Sequence, residues 1–189
     1  MHRHHRLHTT MACVSMIDAL TLPAMTALLA ACAVAPSAHG ENFRPHSLCG
    51  SDETIYFSCK IEHSKDYASV CAKDNSAADS GYVQYRYGHD AASAFRFPAS
   101  QAAPGDVFHI LTVNHFRDGI GKHLTFSNGA YTYVVSNAVQ PPEIGVFRND
   151  KLIATKTCEF DNGFTPISNE ADFGIKQGEK FGLDSFDGS

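Results

Sequence analysis

Six histidines follow residue 40 of this 189-residue chain: His46, His63, His89, His109, His115 and His123. Imidazole is the side chain most often used to move protons at neutral pH. His109 or His115 beside Asp106 or Asp118 is therefore the arrangement that would make a hydrolase. A shared metal ion is not what the spacing favours. His109 and His115 fall on one face of a candidate strand, about 20 Å apart at ~3.3 Å per residue, which is beyond the reach of one ion. His123 would approach either of them only across strands, and the other five histidines lie in or at the edge of the first forty residues. No Gly-x-Ser-x-Gly, P-loop, Gly-x-Gly-x-x-Gly or His-Glu-x-x-His occurs. Carboxylates before residue 159 fall mostly in turns (Asp52, Glu53, Asp66, Asp118, Asp150), so no acid and base pair of the glycosidase kind stands out. The reading is of a non-enzyme: no catalytic residue, no metal ligand set and no cofactor is nominated.

Cysteine is the next reactive type. After Gly40 the chain has Cys49, Cys59, Cys71 and Cys158. An even number in an exported chain reads as two disulfides, and no Cys-x2-Cys pair supports zinc. Three pairings are open. A hairpin centred on Lys65, with strands Ile55–Ile61 and Tyr67–Cys71, would set Cys59 directly across from Cys71 and leave Cys49 to join Cys158.

Export is read from the first forty residues. Basic Met1-His2-Arg3-His4-His5-Arg6 precedes a mostly apolar stretch to Ala35, the layout of a signal peptide. Asp18, Pro23 and Pro36 interrupt it, which disfavours a permanent membrane span. Ala38-His39-Gly40 suits signal-peptidase cleavage before Glu41. Leu29-Ala30-Ala31-Cys32 resembles the bacterial lipobox, and that resemblance implies lipidation of Cys32 as a membrane anchor; otherwise Cys32 is discarded with the leader. The domain plan is a leader over 1–40, an all-β domain over 41–160 and an acidic, loop-rich tail over 161–189. The mature protein is expected to be periplasmic or secreted, or an outer-membrane lipoprotein.

The elements that would position any site are strands. Tyr82–Tyr87 alternates, with Val83, Tyr85 and Tyr87 on one face and Tyr82, Gln84 and Arg86 on the other. Ala94–Phe97 ends at Pro98, which cannot donate to a ladder. Val107–Phe116 is broken by Arg117-Asp118-Gly119-Ile120-Gly121, and Ile144–Phe147 and Leu152–Thr155 flank a turn at Arg148-Asn149-Asp150-Lys151. Short strands with turn signals between them predict an antiparallel sandwich or small barrel of about eight strands.

Charge is unevenly spread. Residues 159–189 hold seven Asp and Glu against two Lys, whereas residues 41–158 are nearly balanced at twelve against eleven Lys and Arg. Five Phe in the tail (Phe160, Phe164, Phe173, Phe181, Phe186) predict a segment partly laid over the body and frayed after about Gly182. A net of −6 after Gly40 with no basic stripe excludes nucleic acid as a partner.

Ser127-Asn128-Gly129-Ala130-Tyr131 is the remaining motif. Asn-Gly favours the centre of a two-residue hairpin because both residues tolerate positive φ, and that register sets Phe126 opposite Tyr131 and Leu124 opposite Tyr133. Tyr131 is then a core or half-core residue.

Taken with Thr54–Cys59, Ala68–Ala72, Gly81–Gly88 and Leu124–Tyr131, the chain resembles a group of small exported bacterial proteins with a Cys-stapled all-β domain. More distantly it is similar to bacterial lysozyme inhibitors of the membrane-bound and periplasmic kinds, whose Ser-Gly-x-Tyr loop enters the lysozyme cleft. Gly129 and Tyr131 match that loop; Asn128 stands where Ser would be, and Ser127 lies one position early. The resemblance implies a protein-binding module that offers Ser127, Asn128, Gly129 and Tyr131 to a lysozyme or another extracytoplasmic protein. The other expectation is a structural or envelope-associated domain without catalytic activity.

Overall fold

Period-two alternation broken by Gly, Pro and Asn-Asp turns becomes ten strands and one short helix in the computed structural model, which describes residues 46–115, 119–160 and 163–178. The leader expected over 1–40 with Cys32, the segment around Asp118 and the fraying after Gly182 lie outside the described residues. The fold is all-β, as the strand pattern requires.

Two sheets make it up. One has the order β1-β2-β3-β4, where β1 is Thr54–Lys60, β2 Tyr67–Lys73, β3 Tyr82–Gly88 and β4 Phe95–Phe97. The other has the order β10-β5-β6-β7-β8-β9. Its strands are β5 Phe108–His115, β6 Gly119–Asn128, β7 Tyr131–Ser136, β8 Glu143–Arg148, β9 Lys151–Thr157 and β10 Lys176–Gln177. Every neighbouring pair is antiparallel except β10 with β5. Among the described residues the sheets are also joined at one corner, where Ile61 bridges to Cys158 and Ser58 to Thr165.

The core lies between the sheets. Phe57, Val70, Val83 and Tyr85 from the first meet Phe108, Ile110, Leu124, Phe126, Val135 and Ile144 from the second. Phe126 is the hub: its ring stacks on Tyr133 at 4.9 Å and on Phe97 at 5.2 Å, and tilts against Tyr85 at 4.9 Å. Such aromatic pairs add about 0.5–1.5 kcal/mol each beyond the area they bury.

The outer face of the four-stranded sheet is polar yet covered. Segment 46–53 lies over it: Ser69 Oγ accepts from the Leu48 N–H, and Arg86 Nη1 donates to the Leu48 carbonyl. Gln84, Ser58 and Ser69 are buried there with their hydrogen bonds made, which offsets the cost of removing them from water.

The disulfides are Cys49–Cys71 and Cys59–Cys158, so the expected pairs Cys59–Cys71 and Cys49–Cys158 do not form. The reason is register. Cys59 lies opposite Ala68 and Cys71 opposite Ile55, because the β1–β2 connection turns through His63 at φ 55 rather than about Lys65. Side chains alternate along a strand. Cys71, three residues past Ala68, therefore projects from the outer face, where Cys49 of the covering segment meets it. Cys59 points into the core, where Cys158 lies.

One further difference follows from close packing. β5 ends at His115 and β6 starts at Gly119, so the run is interrupted as expected, but Gly119 and Gly121 lie within β6; a Cβ on Gly121 would come within 2.2 Å of the Ala138 Cα. Residues 163–178 are mostly loop and lie over the body. They form helix α1 (Ala171–Gly174) and β10, bury Ile167, Ala171 and Ile175, and are pinned by Lys122 Nζ, which donates to Asp172 at 2.7 Å.

Candidate functional site

The hairpin β6–β7 reaches past the core. Its register sets Asn128 opposite Tyr131, Ser127 opposite Thr132 and Phe126 opposite Tyr133. The turn is therefore Gly129-Ala130, not Asn128-Gly129. Gly129 takes φ 61 and Asn128 has no positive φ, the pattern of a turn with Gly at its first central position. Phe126 now opposes Tyr133 instead of Tyr131, which moves Tyr131 one pair outward, beyond the stacked rings.

Ser127, Asn128, Gly129, Ala130 and Tyr131 are all exposed. Tyr131, expected in the core or half in it, is 37% exposed. Its ring is backed by Arg148 of β8, whose guanidinium carbon lies 5.7 Å from the ring centre, and Ser127 and Thr132 hydroxyls bond at 3.1 Å on the other face. The tip is thus an apolar ring with a cation behind it and a small polar patch opposite. Such a surface is suited to contact with a partner.

Two residues inward from Tyr131 along β7, the gap between the sheets opens into a cleft of about 400 Å³. Tyr85 and Tyr87 of β3 and Phe95 of β4 form one wall, and Tyr133, Ile144 and Val146 of β7 and β8 form the other. Lys156 of β9 lies at its edge. Burial raises the Tyr85 phenol far above its ordinary value, and the neighbouring phenols of Tyr87 and Tyr133 add to the effect. Burial likewise raises Tyr87, helped by Asp66, which accepts its hydrogen bond. Tyr85 and Tyr87 therefore stay neutral hydroxyl groups at physiological pH.

Sequence reasoning missed this cleft. The spacing of Tyr85 with Tyr87 and of Tyr131 with Tyr133 marks single faces, but only the packing of β3 against β7 brings those faces together.

The other candidates are placed as follows. His109 and His115 share β5, and His123 is buried opposite Leu111. Asp106 lies near His109 on the surface, where Lys176 holds its carboxyl below the usual range through a 2.5 Å contact. Among the described residues, Cys49, Glu53 and Cys71 have ligand atoms within 4.8 Å of one another. Cys49 and Cys71 are bonded to each other, and Glu53 is held by Arg86 and Tyr82. Compared with protein-family models, with curated proteins and with solved structures, the chain matches none.

Proposed function

We propose that the chain is an exported protein-binding module, similar in action to bacterial lysozyme inhibitors, that offers its β6–β7 tip to an extracytoplasmic partner. The observation that carries this reading is the run of five exposed residues, Ser127 to Tyr131, at the end of a hydrogen-bonded hairpin, with Tyr131 clear of the core and braced by Arg148. A rigid aromatic on a fixed hairpin loses little conformational freedom on binding, and Tyr is enriched among residues that dominate interfaces. Two disulfides fit an oxidising, extracytoplasmic compartment. The reading assigns no catalytic step and no cofactor. It gives membrane contact only through lipid on Cys32, if the lipobox-like sequence is used.

The test is inhibition of cell-wall lysis by C-type, G-type and I-type lysozymes at equimolar protein, with Tyr131→Ala alongside. Inhibition of one class by the native chain and its loss in Tyr131→Ala supports the reading. No inhibition of any class removes lysozyme as the partner. A structural or envelope-associated role is the second reading, favoured by the turn itself: Gly129 at φ 61 meets a purely geometric need of the hairpin.

A further inference from the structure

We propose that the cleft between the sheets binds a small amphipathic anion, its apolar body lying against Tyr85, Tyr133, Ile144 and Val146 and its negative group held at the Lys156 end.

Size is the first argument. About 400 Å³ falls within the roughly 300–1,000 Å³ usual for small-molecule sites. Lining is the second: apolar walls with a few convergent polar groups are the usual make-up of such sites. Here the polar groups are the phenol hydroxyls of Tyr85 and Tyr133, which can donate to a negative group, the Tyr87 hydroxyl being given to Asp66.

Charge selects the ligand's sign. On the sheet face that forms this wall, Arg148 and Lys151 pair across β8 and β9, and Lys156 pairs with Ile144. The same face of β7, β8 and β9 bears no Asp or Glu, because Glu143 precedes Ile144 and so projects from the other side. Among the described residues Lys60, Lys73, Lys122 and Lys176 each meet a carboxylate, and Lys156 is not among them. Asp66, which faces the opposite wall, is engaged by Tyr87. Lys156 lines the apolar cleft, with Arg148 and Lys151 farther along the same face, and a cation beside apolar walls is complementary to an anion with an apolar body.

This inference does not rest on the tip, since its readout needs no protein partner. The experiment titrates the full chain with 8-anilinonaphthalene-1-sulfonate by fluorescence, then with decanoate and decanol by calorimetry. The expected result is one sulfonate site per chain, displaced by decanoate. Lys156→Glu, an exposed change, should weaken decanoate by about tenfold or more and leave decanol within about twofold. Val146→Trp should fill the cleft and abolish both. If the native, cooperatively melting chain binds neither probe, the inference fails. It fails equally if Lys156→Glu leaves decanoate unchanged, or if a cooperatively melting Val146→Trp still binds. Should Val146→Trp not fold, the Lys156→Glu comparison decides.

Discussion

The guanidinium of Arg86 holds both carboxylate oxygens of Glu53, at 2.6 and 2.7 Å, with the two side chains only 7% and 4% exposed. Tyr82 donates to the same carboxylate at 2.5 Å, and the Gly50 N–H donates to it as well. The pair ties segment 46–53 to the outer face of β3 beside the Cys49–Cys71 bond.

Burial by itself would raise the Glu53 carboxyl, but the hydrogen bonds from Arg86, Tyr82 and Gly50 outweigh it and hold the group below its ordinary 4.5. A carboxyl lowered by folding stabilises the protein above its unfolded pKa and stops doing so as pH falls through the folded value. Thermal melts should therefore lose stability once pH drops below about 4.5. Glu53→Gln should lower the melting temperature at pH 7, at a cost of about 3–5 kcal/mol for a buried cation left without its partner, and flatten that acid dependence.

The two disulfides close loops of different length, 22 and 99 residues. By chain entropy their removal costs about 3.4 and about 4.7 kcal/mol respectively. Denaturant titration of Cys49→Ser/Cys71→Ser and Cys59→Ser/Cys158→Ser double variants should rank them in that order. Peptide mapping without reduction should recover Cys49 with Cys71 and Cys59 with Cys158.

At the tip, Gly129→Ala should cost about 1 kcal/mol through its φ of 61, although no atom lies within 4 Å of the added Cβ. Asn128→Ala should stay within about 0.5 kcal/mol, since Asn128 ends a strand in ordinary conformation. The reverse ranking in urea melts would mean that the turn is centred one residue earlier.

Tyr131→Ala should lose the Arg148 contact, which amounts to about 0.5–1 kcal/mol at an exposed site, and shift the melting temperature only slightly. Partner binding should fall far more than stability does, and a lysis assay run beside a thermal melt measures both.

Gly121→Val should destabilise the second sheet. Its Cβ would meet the Ala138 Cα at 2.2 Å and the Ala138 N at 2.7 Å, and these are backbone atoms with little room to give. Overpacking of this kind costs about 1–3 kcal/mol, readable as a lowered urea midpoint.

Much of the fold is legible in alternation. Val83, Tyr85 and Tyr87 do face inward and Tyr82, Gln84 and Arg86 outward, and Asn149-Asp150, at φ 50 and 60, does turn β8 into β9. Pairing offsets are harder. Moving the β6–β7 turn by one residue changes every cross-strand partner yet keeps each side chain on its face, so hydrophobic pattern is silent between the two registers. The β1–β2 connection is different: it turns through His63, a non-glycine residue at positive φ that local sequence does not announce, and the altered offset put Cys59 and Cys71 on opposite faces. The tip residues were legible because they are contiguous. The cleft was not, since its two walls come from strands about fifty residues apart that meet only in the packed sandwich.

One edge of each sheet is met by late residues: Ser58 of β1 by Thr165, with Ile61 just beyond it met by Cys158, and β5 by Lys176 and Gln177. A chain that emerges amino end first therefore has most of its strands available while the edges at β1 and β5 are not yet covered. During that interval it exposes unpaired edges of the kind that template aggregation. Those two edges close only when Thr165 and Lys176–Gln177 reach them, so segment 165–177 acts as the clasp of both sheets.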